Sequence, residues 1–198
     1  MQHERALVAI KMPVFSFEKL YGQDVNLGPE MKSTGEVLGV AKTYDEALIK
    51  AFYGAGVHKI EKGNVIITVK DSDKDEVLPI AQGLYDLGWT IYSTAGTSEF
   101  LNEHDIPTIR LHKIGDGKPD ILDHIVSGKI NLVVNTPSKE VSHHRDGYKI
   151  RRNAVEAGIP CLTSLDTANA FLTCARHVET TQLSVVDITK VSSFLNFI

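Results

Sequence analysis

"NVIITVKDSDKDEVLPIAQGLYDLGWTIYSTAGTSEFL", Asn64 to Leu101, decides the fold, because its texture changes where a strand–helix–strand–helix unit would change. "NVIITVK" is apolar and rich in β-branched residues, the pattern of a strand buried on both faces. "KDEVLPIAQGLYDLG" then places Val77, Ile80, Ala81, Leu84 and Leu87 on one helical face, with Gly88 to close the helix. "WTIYST" reads as the next strand and "TSEFLNEHD" as the next helix.

Downstream the alternation repeats. "TIRLH" precedes the helix-like "PDILDHIVSG"; "INLVVNT" is followed after a polar loop by "IRRNAVEAG"; "PCLTS" leads into "DTANAFLTCARHV". Apolar strands alternating with crossover helices predict a parallel sheet covered on both faces. The expected fold class is α/β, a doubly wound, flavodoxin-like or Rossmann-like domain over residues 63–198, with "LSVVDI" as a candidate terminal strand. Upstream the texture differs. Lys11 to Leu38 reads as loop, broken by Pro13, Gly22, Gly28, Pro29, Gly35 and Gly39. "TYDEALIKAFYGAG" then predicts a helix capped by Thr43 or Asp45, with Ala47, Leu48, Ala51 and Phe52 on its apolar face and Gly54 or Gly56 at its end. Residues 1–62 therefore form no core of their own.

At 198 residues, 42% hydrophobic and 23% charged, the chain has globular composition with room for one good core and an appendage. A net charge of −4 argues against a nucleic-acid binder working through a broad basic field, so any anion site is small and local. Cys161 and Cys174 sit in apolar stretches with neither metal-ligand spacing nor a disulfide framework, which fits a reducing compartment. No run approaches the ~18 apolar residues of a membrane span, and "MQHERALVAIKMPVF" lacks the apolar core of a secretory signal. The expectation is a cytoplasmic protein that engages neither membrane nor nucleic acid. His143 and His144 read as solvated loop residues, and no metal site is expected.

In a doubly wound sheet, ligands collect at the carboxyl ends of the strands, where helix N-termini present free N–H groups. Those ends carry Lys74, then Ser93, Thr94 and Thr97, then Lys113, then Asn135 and Thr136. Gly96 lets a phosphate approach backbone amides, although "STAGTS" is neither a P-loop nor a dinucleotide fingerprint. The competing reading makes Thr97 or Ser98 a helix cap and the other residues turn formers. Both readings stand on the residues alone.

"GPEMKSTGEVLG", Gly28 to Gly39, resembles the strand and loop near the end of the second ATP-grasp half of the carbamoyl-phosphate synthase large chain family. The run through "NVIITVKDSDKDEV", "STAGTSEFL", "HKIGDGKPDILD", "VVNTPS" and "YKIRRNAVEAGIPCLTSLDTANAF" resembles the methylglyoxal-synthase-like allosteric domain of the same family. The resemblance runs from about Leu7 to Val191. It implies a C-terminal fragment, with residues 1–62 a truncated tail of the ATP-grasp domain and residues 63–198 the regulatory domain. No catalytic residue, cofactor or metal is expected in the fragment, which is expected to be inactive alone. For the whole enzyme the resemblance implies ATP, Mg²⁺ or Mn²⁺, and a glutaminase small chain as partner. That enzyme makes carbamoyl phosphate from bicarbonate, glutamine-derived ammonia and two ATP, for pyrimidine or arginine synthesis.

The family's regulatory domain takes nucleotide effectors: UMP, IMP or phosphoribosyl pyrophosphate. Carried over, its phosphate pocket comprises Lys74, Thr94, Thr97, Lys113, Asn135 and Thr136, the residues selected on physical grounds above, with Arg151 in a secondary steering role. Pro137 stands where some members have a second threonine, which removes a hydroxyl and a donor. Some members bind ornithine at a position matching Thr163, with an acidic partner near the place of Met12; the absence of that acid speaks against an ornithine response. The resemblance also admits homo-oligomers through the regulatory domain.

Two enzymes share the domain fold. Methylglyoxal synthase, the alternative reading, needs a general-base aspartate where this chain carries Lys118, with Asp116 and Asp120 as neighbours. The IMP cyclohydrolase domain resembles "STAGT" but offers no place for "GPEMKSTGEVLG".

Overall fold

The computed structural model describes residues 7–16, 31–137, 146–187 and 189. Two strands come first. β1 (Val8–Val14) and β2 (Gly35–Ala41) pair antiparallel, with Ile10 opposite Gly39 and Lys11 opposite Leu38. This corrects the reading of Lys11–Leu38 as loop: both ends of that stretch are strand. Pro13 misled the reading, yet a two-stranded ladder leaves each strand an outer edge where a missing N–H is tolerated. Gly39 is required by packing, since a Cβ there would overlap the Ala47 carbonyl oxygen of the helix beneath.

That helix, α1 (Tyr44–Gly54), is capped by Thr43, whose hydroxyl accepts from the Glu46 N–H at 3.3 Å. There follow β3 (Asn64–Thr68), α2 (Lys74–Asp86), β4 (Thr90–Thr94), α3 (Ala95–Glu103), β5 (Thr108–Leu111), α4 (Ile121–Val126), β6 (Leu132–Asn135), α5 (Asp146–Glu156), β7 (Cys161–Leu162) and α6 (Leu165–His177). The five strands from β3 onward form one sheet in the order β5-β4-β3-β6-β7, every pair parallel. This is the doubly wound α/β sheet expected.

Its two faces are read off β3. Val65 and Ile67 enter a core filled by α1, α2 and α6, while Ile66 enters a second core with α4 and α5. Strand alternation under two helical layers leaves no polar position inside β3, hence its continuous apolar run. The candidate strand at "LSVVDI" is not formed over residues 183–187. Instead the Ser184 N–H and hydroxyl both donate to the Glu46 carboxylate at 2.6 Å, which ties that segment to α1 by a side chain.

α1 joins the same core as the sheet. Phe171 of α6 meets Phe52 of α1 edge-on at 5.9 Å and Trp89 at 5.6 Å, all three rings fully buried. Phe52→Ala should therefore lower stability by about 3–5 kcal/mol, the usual range for a buried phenylalanine. Chemical denaturation followed by tryptophan fluorescence should report this in one transition; a change below about 1 kcal/mol would separate α1 from the sheet's cooperative unit.

Candidate functional site

The order in which successive strands are added reverses at β3. β4 and β5 lie on one side of it and β6 and β7 on the other, so the chain diverges at the carboxyl ends of β3 and β6 and leaves a crevice there. Asn135 closes its floor. Its Nδ2 donates to Thr68 Oγ1 at 2.7 Å, and its Oδ1 accepts from Arg151 Nη1 at 2.7 Å. Thr136 accepts from the Lys70 N–H at 3.2 Å, a second tie between the same two strand ends. Gly147 lies against this arrangement: a Cβ there would sit 3.2 Å from Arg151 Nη1.

The neighbouring strand end supplies the turn. Thr94 is the N-cap of α3, half-buried, and its side chain makes no capping hydrogen bond. The cap reading of Thr97 and Ser98 is therefore corrected. Thr97 lies inside the helix, buried, its hydroxyl 3.5 Å from the Val69 N–H, and Ser98 Oγ pairs with Thr108 Oγ1 at 2.6 Å. Lys74, the first residue of α2, reaches over the turn: a Cβ built on Gly96 would lie 3.9 Å from its Nζ. The ammonium also sits 5.8 Å above the Phe100 ring and 2.8 Å from Asp71 Oδ1. A cation thus lies over the small volume at the start of a nine-residue helix, whose first N–H groups have no intrahelical partner and whose N-cap hydroxyl makes no capping bond.

Not every residue singled out in the sequence meets that volume. Ser93 is fully buried and its hydroxyl donates to the Ile67 carbonyl at 2.8 Å, so it fastens β4 to β3. Lys113 is exposed, two residues beyond the end of β5. Lys118 is held between Asp120 and Asp123, at 2.9 and 2.8 Å. Thr163 and Met12 do come together, in a separate groove of about 570 Å³ whose lining includes Lys11, Phe52 and Asp166. Asp166 gives that groove an acid that Met12 does not. Thr68, Lys70 and Phe100 were missed. Lys70 alone had a signal, a second lysine in "VKDSDK", but strand and turn geometry were needed to place it.

Asp120 bears on the enzymatic alternative. It caps α4, accepting from the N–H groups of Leu122 and Asp123 at 2.9 and 3.2 Å, while Asp123 accepts from the Asp120 N–H. The Lys118 hydrogen bond, helped by those two backbone donors, holds its carboxyl below the usual carboxylate range. A carboxylate so satisfied is a poor proton acceptor. Among the described residues no three histidine, cysteine or acidic side chains converge as a metal site, and no helix is long and apolar enough to cross a membrane. His143, His144 and Gly28–Glu30 lie outside the described residues.

Residues 76–163 match the family model described as MGS-like domain. The chain is 50% identical over 184 residues to the carbamoyl phosphate synthase large chain of Lachnoclostridium phytofermentans, covering 93% of this chain and 17% of that one. With the large chain of Agathobacter rectalis the identity is 48% over 187 residues, covering 94% and 17%. A solved methylglyoxal synthase from Elizabethkingia anophelis aligns at 17% identity over 65% of this chain and 89% of its own, with a TM-score of 0.47. The chain carries an MGS-like domain and, over most of its length, is homologous to a stretch of carbamoyl phosphate synthase large chains; it spans 17% of the length of these curated relatives.

The α4 cap gives a pH-dependent expectation. Because the folded state lowers the Asp120 pKa, its contribution is present above about pH 4 and is lost as pH falls through the folded value. Asp120→Ala should cost about 1 kcal/mol at pH 7, the worth of an N-cap, and less at pH 3. Urea unfolding at both pH values measures this; an equal loss at each would assign the effect to packing.

Proposed function

We propose that this chain is the effector-binding region of a carbamoyl phosphate synthase large chain, and that it takes a phosphorylated ribose effector by its phosphate at the α3 turn. The observation that carries the reading is Lys74 Nζ lying over Gly96 at the start of α3. Homology at 50% identity across 93% of the chain supports the family part of the reading. The doubly wound sheet supports the location, since its crevice lies beside that turn.

In this reading each group has a distinct task. Lys74 supplies a compact point charge, Thr94 a rotatable hydroxyl, and the amides of Gly96 and Thr97 the remaining donors. Gly96 keeps the approach open. Asn135, Thr136 and Arg151 shape the floor, because their polar atoms already bond to one another, to Thr68 of β3 or to the Lys70 N–H just beyond it. Lys113 steers from the rim. UMP, IMP and phosphoribosyl pyrophosphate are the candidates. The synthesis of carbamoyl phosphate, with its ATP, divalent metal and glutaminase partner, is assigned to the remainder of the relatives' length, where pyrimidine or arginine supply is the role.

Titration calorimetry with the three nucleotides tests the site. A hydrogen bond to a charged group contributes about 1.5–3 kcal/mol, so Lys74→Ala should weaken the phosphorylated effector roughly 10- to 150-fold. Thr94→Val should weaken it a few-fold with an unchanged melting temperature, and Lys113→Ala should do less than Lys74→Ala. The unphosphorylated nucleoside should respond little to any of them. Silence from all three nucleotides with the unaltered chain would sink the reading.

Incubation with dihydroxyacetone phosphate tests the alternative. No methylglyoxal should form, because Asp120 is engaged by Lys118 and the α4 amides. Formation that Asp116→Asn abolishes would make the chain an enzyme.

A further inference from the structure

The lysine that defines the turn is not free. Its ammonium lies 2.8 Å from Asp71, on the 3-10 turn Asp71–Asp73 that precedes α2. The two partners differ sharply in burial: the Lys74 side chain is 22% exposed and that of Asp71 is 94% exposed. On the protein side the ammonium lies 5.8 Å above the Phe100 ring and over Gly96, where an added Cβ would come within 3.9 Å of it, while the 94% exposed carboxylate pairs with it from the solvent side. An ammonium has three donors, and an incoming phosphate must approach it from the same open side.

We propose that Asp71 is a built-in competitor for the anion at the α3 turn, its carboxylate occupying the Lys74 ammonium and so setting the affinity of the site. The proposal rests on the nucleotide reading of that turn. The competition is graded rather than blocking, because an exposed carboxylate is rehydrated on release and its ion pair is weak. The Lys74 hydrogen bond lowers the pKa of Asp71, so the competing form is the charged one at neutral pH. The device is repeated nearby: Lys70 pairs with Asp73 at 3.3 Å, again three residues apart. A rival explanation is that Asp71, Asp73, Asp75 and Glu76 simply complement the positive end of α2. That role acts on helix stability and leaves affinity alone.

The test uses the 198-residue chain with inorganic phosphate and UMP as probes in calorimetry. Asp71→Asn should tighten both about 2- to 5-fold, the scale of an exposed ion pair. The gain should vanish in the Lys74→Ala background. Glu76→Gln removes a charge from the same helix end without an ion pair to Lys74, and should leave affinity unchanged. Equal tightening by Glu76→Gln would reduce the effect to net charge and overturn the proposal. So would unchanged affinity with a lowered melting temperature, which would leave Asp71 as a dipole partner only. If neither probe binds the unaltered chain or Asp71→Asn, the nucleotide reading fails and the competitor with it.

Discussion

The Asn135 amide is the constraint on which the crevice depends. β3 and β6 pair only as far as Thr68 and Asn135, and beyond that point the chain turns to opposite sides of the sheet. Two strand ends that part in this way leave buried polar atoms without ladder partners, each of which costs about 1–3 kcal/mol if unsatisfied. Asn135 answers with one side chain: its amide N–H groups go to Thr68 and its oxygen to Arg151. Arg151, on the buried side of α5 with Ile150 and Ala154, thereby becomes part of the floor. The bulk of the guanidinium at this point is what leaves Gly147 little room for a side chain.

That arrangement divides the strand-end residues into those that build the crevice and those that face it. Ser93, Thr136, Asn135 and Arg151 are occupied by internal hydrogen bonds. Lys74 instead lies over Gly96 at the start of α3, and the Thr94 hydroxyl makes no capping bond. Residue type alone does not make this division, because serine, threonine and asparagine serve turns, sheets and anions equally well.

Most of the fold was legible because the signals were long and redundant. β3 and β6 are apolar runs, and each strand from β3 to β6 is followed by a helix carrying an apolar face, so both periods agree with one sheet. The failures lie where a local signal was ambiguous. β1 and β2 were hidden by Pro13 and Gly39, whose effects depend on which strand edge and which helix lie beside them. "LSVVDI" has strand composition but bonds to Glu46, a long-range choice with no trace in its own sequence. The convergence of Lys74 on Gly96 was legible only as a shared sheet edge, since twenty-odd residues and a whole helix separate them.

An acidic chain is compatible with the proposed anion site once distances are considered. The net charge of −4 is spread over the whole surface, and exposed charges are screened beyond a Debye length of about 8–10 Å at physiological ionic strength. What an anion meets at the α3 turn is therefore set by groups within a few ångströms. There the half-buried Lys74 ammonium and the positive end of α3 stand against one exposed carboxylate, that of Asp71. Burial decides between them: the cation and the helix amides face a surface partly withdrawn from water, whereas the carboxylate is fully hydrated and its field is weakened accordingly. The local balance is positive while the global one is negative, and it is the local one that bears on the proposed phosphate site.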